Sequence, residues 1–221
     1  MNTSKQIAAL FDLDGVVLDT ESQYTIFWKR QGNTYRPDMP DFESRIKGMT
    51  LVEILRFFSD TPGLPEKIQN ELNEYECVMN YEYIPGVVRF IKEIRSHGVK
   101  TAVVTSSNTL KMENVYRAHP EFKSLFDRIL TAENFKYSKP DPDCYLLGAK
   151  VFDTTPENCF VFEDSFNGLE AGNRAEMCVI GLSTTNPANL IADKARIVIP
   201  DFENFNFEKM LSLIPTYCEN M

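Results

Sequence analysis

Five short apolar runs, at residues 7–11, 100–105, 126–131, 159–163 and 177–181, with a weaker sixth at 196–199, constrain this chain of 221 residues more than any other feature. Each has strand length and is rich in Val, Ile, Phe or Ala. Most are continuous rather than alternating, the pattern of strands buried on both faces of a parallel sheet. Helical periodicity fills the gaps. Val87, Val88, Ile91 and Ile94 recur at helical spacing, with Pro85-Gly86 before them and Gly98 just beyond, as start and stop signals. Similar spacing covers 110–118, 143–151, 166–174 and 207–213. Strands alternating with helices predict an α/β fold built on a doubly wound parallel sheet.

One stretch breaks the rhythm. Residues 21–83 contain no convincing strand, only helical patterns at 25–31, 51–59 and 66–79, separated by Pro37, Pro40, Pro62 and Pro65. A right-handed crossover needs only about a dozen residues. The surplus predicts a small all-helical cap inserted after the first strand, with residues 1–20 and 84–221 as the core and 21–83 as the cap. There is no internal repeat and no low-complexity tract.

Charge narrows the partners. The net charge of −9 would repel a phosphate backbone, and no basic run offsets it, so nucleic acid is not expected. With 43% hydrophobic and 25% charged residues, the chain can fill a core at this length. Cys77, Cys144, Cys159, Cys178 and Cys218 are odd in number, scattered and without a C-x-x-C, which reads as buried thiols in a reducing compartment. The apolar stretch at 7–11 runs into Asp12 and Asp14, too short and too acidic for a signal peptide, and no segment has the length of a membrane span. A cytoplasmic protein, expected to be a monomer, follows.

In open α/β sheets ligands bind beyond the carboxyl ends of the strands, and here those exits are polar. The first run ends Phe11-Asp12-Leu13-Asp14-Gly15, the second Thr105-Ser106-Ser107-Asn108, and a later one Phe162-Glu163-Asp164-Ser165, while a loop reads Ser138-Lys139-Pro140-Asp141-Pro142. Taken alone, D-x-D-G is an ordinary turn. In extended chain, however, Asp12 and Asp14 point the same way while Leu13 turns into the core. One carboxylate can then attack while the other handles protons. Glu163 and Asp164 taken alone read as a helix N-cap, and Lys139 in a Lys-Pro loop as an ordinary surface lysine.

Position again adds to the bland reading. If their strands are neighbours, Asp164 and Asp12 lie close together, and at about 4 Å with an effective dielectric near 20 each like-charge pair costs roughly 4 kcal/mol. A hard divalent cation with oxygen ligands answers that repulsion, and Mg²⁺, which keeps several waters and favours one or two carboxylates plus substrate phosphate, fits best. Thr105 and Ser106, before a helix starting near Asn108, supply hydroxyls and helix-start amides for an anion. With Lys139 they make a site for a transferring phosphoryl group.

These segments also resemble a known family. Asp12-Leu13-Asp14-Gly15-Val16-Val17-Leu18-Asp19-Thr20 resembles the first motif of the haloacid dehalogenase superfamily of phosphotransferases. Val103-Val104-Thr105-Ser106 is similar to its second motif, Lys139-Pro140 to its third and Glu163-Asp164-Ser165 to its fourth, in the right order. Ile84-Pro85-Gly86-Val87 is similar to the point where the chain re-enters the core. The subgroup resembled is that of the β-phosphoglucomutase-like sugar phosphatases. The resemblance implies a Rossmann-like core, Asp12 as the nucleophile that becomes an aspartyl phosphate, and Asp14 as acid and base, its backbone carbonyl also binding Mg²⁺. It further implies Thr105, Ser106 and Lys139 on the phosphoryl group, Asp164 on the metal, and Glu163 as a ligand or its supporting partner.

The activity implied is a Mg²⁺-dependent phosphatase for a small phosphorylated metabolite, with a sugar phosphate as the expected substrate. Specificity is expected from Thr20, Tyr24, Gly48, Met49, Ser107 and Asn108. Two alternatives stand beside it: an intramolecular phosphomutase, and a catalytically idle binding protein on the same fold. The β-phosphoglucomutases use a histidine in the first cap helix and an arginine in the next cap segment. Here Tyr24 and Leu51 stand at the matching positions, His97 and His119 fall in core segments, and only Arg45 or Lys47 is left to supply a charge nearby. Water is therefore the expected acceptor.

Overall fold

The computed structural model describes residues 6–46, 49 and 51–214. Lys47, Gly48 and Cys218 lie outside the described residues. Six strands, β1 (Ala8–Phe11), β2 (Lys100–Val104), β3 (Arg128–Leu130), β4 (Cys159–Glu163), β5 (Cys178–Leu182) and β6 (Ile197–Ile199), form one parallel sheet in the order β3-β2-β1-β4-β5-β6. The chain runs outward from β1 to β3 and returns to build β4 to β6, so the direction of winding reverses between β1 and β4. That is the switch point at which open sheets bind ligands.

Among the described residues, the 21–83 stretch forms the helices α1 (Glu21–Tyr35), α2 (Phe42–Arg45), α3 (Leu51–Arg56) and α4 (Leu64–Glu76). They are followed by α5 (Val87–Ser96), α6 (Thr109–Ala118), α7 (Phe122–Leu125), α8 (Asp143–Lys150), α9 (Phe166–Arg174), α10 (Ala188–Ile191) and α11 (Phe207–Leu211). Strand alternation divides the core between two faces. Ala9 and Phe11 face one side, where Phe11 stacks on Phe162 at 4.5 Å among Phe90, Phe202 and the apolar stripe of α5. Ala8 and Leu10 face the other and pack with Cys144, Tyr145, Leu169 and Ala171 of α8 and α9.

The helical insert has an apolar cluster of its own, with Phe27, Trp28, Phe42, Ile54, Phe58, Ile68 and Leu72 at its centre. Its two connections to the sheet run side by side. Leu18 and Tyr83 form an antiparallel bridge, Asp19 N donates to the Glu82 carbonyl at 2.8 Å, and Ile84 N donates to the Val17 carbonyl at 3.0 Å. The insert thus leaves and re-enters at one place, beside the β1 exit.

Several element ends differ from the sequence reading. The helix expected at 25–31 extends over Glu21–Tyr35, and that expected at 51–59 stops at Arg56, where Phe57, Phe58 and Ser59 continue in turns. The one expected at 66–79 begins at Leu64, behind Gly63 in a left-handed conformation and with Pro65 in its first turn, and ends at Glu76. Pro65 therefore opens the helix rather than separating two, since a proline is at home in the first turn of a helix.

Candidate active site

β1 delivers its exit residues to the middle of the sheet. Asp12 N still donates to the Phe162 carbonyl of β4 at 3.0 Å, and Leu13 is fully buried, so Asp12 and Asp14 turn away from the core. Gly15 then reverses the chain at φ +72°, its N–H donating to the Leu18 carbonyl at 2.8 Å. A Cβ there would come within 2.1 Å of Asp164 Oδ2, so the glycine lets two strand exits share one space. The D-x-D-G turn is real, and both of its carboxylates line one cavity.

Lys139, read alone as a surface lysine, is buried. Its Nζ donates to Asp12 Oδ1 at 2.6 Å, to Glu163 Oε1 at 2.6 Å and to the Val104 carbonyl at 3.2 Å. Glu163 is fixed in turn. Tyr145 donates to its Oε1 at 2.9 Å, while Oε2 accepts from Asp164 N at 3.0 Å and from the N and Oγ of Ser165 at 3.1 Å. Ser165, rather than Glu163 or Asp164, caps α9 through its own side chain. Gly168 leaves the room for this arrangement, because a Cβ there would overlap the Glu163 carboxylate.

Asp14 has a separate set of partners. Lys111 Nζ reaches both of its oxygens, Oδ2 at 2.5 Å, Ser107 Oγ donates to Oδ2 at 3.0 Å, and the Thr20 hydroxyl donates to Oδ1. The outcome is opposite protonation behaviour two residues apart. Burial, helped by Glu163 and Asp14, pushes Asp12 up to about 7 against the pull of Lys139. Burial also works to raise Asp14, but the Lys111 ammonium and the Thr20 and Ser107 hydroxyls hold it below the usual carboxylate range. Asp164 is pushed well up by burial and by its acidic neighbours, Glu163 foremost.

Asp12, Glu163 and Asp164 each offer a carboxylate oxygen, and these atoms all lie within 4.8 Å of one another. An all-oxygen set this close suits a hard divalent cation and not a soft one. At the neighbouring β2 exit two amides are already satisfied by side chains: Thr105 Oγ1 accepts from Ser107 N at 3.0 Å, and Asn108 caps α6 by accepting from Lys111 N at 2.9 Å, which leaves the Thr105 and Ser106 hydroxyls as the donors available to an anion.

Asp12, Asp14, Tyr24, Met49, Thr105, Ser106, Ser107, Asn108, Lys139 and Asp164 all line one cavity of about 260 Å³ between the strand ends and the helical insert. Thr20 does not line it; fully buried, it serves Asp14 instead. Glu163 lies behind the lining, and Gly48 lies outside the described residues. Leu51 lines the cavity, whereas Arg45 is exposed and donates to the Pro40 carbonyl at 3.0 Å.

Sequence reasoning missed Lys111, Glu76 and Tyr145. Lys111 carried a usable signal: a cation in the first turn of a helix opposes the helix dipole, so a lysine just after the Asn108 cap needs an anion in front of it.

Residues 9–182, from β1 through β5, match the family model for haloacid dehalogenase-like hydrolases. The chain belongs to this family. Among haloacid dehalogenase-like relatives it is 31% identical over 182 residues to a probable pseudouridine-5'-phosphatase of Drosophila melanogaster, covering 77% of this chain and 79% of that one. It is 30% identical over 176 residues to a phosphorylated carbohydrates phosphatase of Thermotoga maritima, covering 76% and 81%. A crystal structure of β-phosphoglucomutase from Clostridium difficile superposes with a TM-score of 0.79 at 25% identity, covering 97% of this chain and 99% of that one.

Proposed function

We propose that this haloacid dehalogenase-like hydrolase is a Mg²⁺-dependent phosphatase of a small phosphorylated metabolite, a sugar phosphate in class, working through an aspartyl phosphate at Asp12. One observation carries the reading: Asp12 and Asp14 line a single cavity with Lys139 2.6 Å from Asp12 and with Thr105 and Ser106 on the same rim.

In the first half-reaction an Asp12 carboxylate oxygen bonds to phosphorus, the bond from phosphorus to the leaving oxygen breaks, and Asp14 gives that oxygen a proton. Asp14, which against burial the Lys111 ammonium favours as the carboxylate, must first take up that proton from solvent. In the second, water bonds to phosphorus, Asp14 takes its proton, and the bond to Asp12 breaks to release inorganic phosphate. Lys139, Thr105 and Ser106 hold the phosphoryl oxygens throughout. Asp12, Asp164 and the Asp14 backbone carbonyl would hold Mg²⁺, with Glu163 close behind. When bound, the cation offsets the charge of the carboxylates and of the incoming phosphate.

The core, 1–20 and 84–221, supplies the chemistry, and the cap, 21–83, supplies the substrate's far wall. Water is the acceptor rather than a second sugar hydroxyl, because Tyr24 and Leu51 occupy the positions where the mutases place a histidine and an arginine. None of the described helices is long and apolar enough to cross a membrane, and a cytoplasmic monomer is the form in which we expect the enzyme to work. A screen of phosphorylated metabolites, ranked by kcat/KM with Mg²⁺ present and repeated after chelation, tests the reading. Phosphate release that requires the metal supports it, and a chain that hydrolyses no ester contradicts it.

A further inference from the structure

The cavity has two walls of opposite chemistry. Its core wall carries the only lysines among the described lining residues, and both are matched: Lys139 by Asp12 and Glu163, Lys111 by Asp14. The insert wall contributes Glu21, Glu43 and Glu76 among apolar and aromatic side chains, and no described lysine or arginine.

Glu76 is the unusual member. Glu21 and Glu43 are partly exposed, whereas Glu76 is 7% exposed and ends α4, where the helix dipole disfavours an anion. Its placement is tied to the catalytic carboxylate. Tyr24 donates to Glu76 Oε1 at 2.8 Å, the Lys111 ammonium sits 4.6 Å from the centre of the Tyr24 ring, and the same ammonium clamps Asp14. A line of contacts thus runs from the proton-transfer group to a buried carboxylate on the far wall. Burial pushes the Glu76 carboxyl up while the Lys111 ammonium and the Tyr24 hydroxyl pull it down, and a ligand's hydrogen-bond donors would further favour its charged form.

We propose that Glu76 is a specificity-determining residue: it accepts hydrogen bonds from hydroxyl groups of the leaving group and excludes esters that carry a second phosphate at that end. Tyr24 and Lys111 position it. The inference rests on the phosphatase reading for the identity of the bound ester, and it narrows the substrate class to monophosphates of neutral, hydroxylated compounds. A second phosphate would meet three carboxylates and no unmatched cation of the described wall.

The test measures binding rather than turnover. In an Asp12→Asn background, which leaves the ester intact, calorimetry with Mg²⁺ present compares glucose 6-phosphate with glucose 1,6-bisphosphate. The parent is expected to prefer the monophosphate by about tenfold, which is ~1.4 kcal/mol. Adding Glu76→Gln, whose amide oxygen still accepts from Tyr24, should reduce the preference to about threefold or less, by weakening the monophosphate and relieving the bisphosphate. Glu76→Ala should shift the preference in the same direction and guards against a folding artefact in the first variant. An unchanged preference in both variants, no preference in the parent, or no binding of either ester would overturn the proposal. Discrimination through Glu76 by a chain that releases no phosphate would instead remove the phosphatase reading and leave the role of Glu76 standing.

Discussion

The strand-end shelf and the insert wall face the same cavity but are built by different rules. On the shelf every carboxylate is tied to a named cation, hydroxyl or amide: Asp12 to Lys139, Glu163 to Lys139, Tyr145 and the start of α9, Asp14 to Lys111, Ser107 and Thr20, and Asp164 to the Thr185 hydroxyl. The insert wall is mostly apolar, and its one buried carboxylate, Glu76, is held by a tyrosine of the same insert. Groups that must meet a reacting phosphorus need fixed positions. A wall that selects the rest of the molecule needs only shape and a few polar contacts. Variants on the shelf should therefore cost orders of magnitude, and variants on the wall should cost small factors.

The largest loss is expected from Asp12→Asn, an isosteric change that removes the proposed nucleophile. Its kcat should fall by about a thousandfold or more, at least ~4 kcal/mol, with circular dichroism unchanged. Lys139→Ala comes next. It strips the cation from Asp12 and Glu163 together, so kcat/KM should fall about a hundredfold, ~2.7 kcal/mol. Leaving two buried carboxylates unpaired should also lower unfolding free energy by ~3 kcal/mol or more. Denaturant melts showing no loss of stability would mean that the ion pairs are not formed.

Asp14→Asn should divide substrates by leaving group. A sugar alkoxide needs a proton and an aryl oxide needs little, so single-turnover formation of the phosphoenzyme should suffer about tenfold more with the sugar ester, ~1.4 kcal/mol. Equal losses would remove the acid role from Asp14.

How far each region could be read from the sequence follows the same division. The shelf is written in short contiguous stretches, because a strand end places consecutive residues in one pocket; Asp12-x-Asp14, Thr105-Ser106 and Glu163-Asp164 were legible for that reason. The four inner strands were legible too, since burial on both faces leaves an almost unbroken apolar run, whereas the partly exposed edge strands β3 and β6 left weaker ones. The burial of Lys139 was not, because it depends on a loop folding back over β1 and β4, which no local pattern records. The wall was least legible. Tyr24 and Met49 could be nominated, but Glu76 lies at the end of a helix whose inward face is set by packing around Phe27, Trp28 and Leu72. Thr20, expected at the substrate, is fully buried and donates to Asp14 instead, a placement that no local pattern records.

The smallest effect is expected on the wall. Tyr24→Phe keeps the ring under Lys111 and removes only the hydroxyl that holds Glu76, so kcat/KM for a sugar phosphate should fall about fivefold, ~1 kcal/mol, with KM moving more than kcat. A hundredfold loss in kcat would place Tyr24 on the shelf and break the division of labour between the two regions.

The central claim is that Asp12 carries the phosphoryl group between substrate and water. Rapid quenching of a single turnover, followed by borohydride reduction and peptide mapping, tests it directly, because reduction converts an aspartyl phosphate into homoserine. The account predicts homoserine at position 12, formed within the first turnover and absent from Asp12→Asn. Conversion at another carboxylate, or an Asp12→Asn protein that hydrolyses the ester at the parent rate, would contradict it.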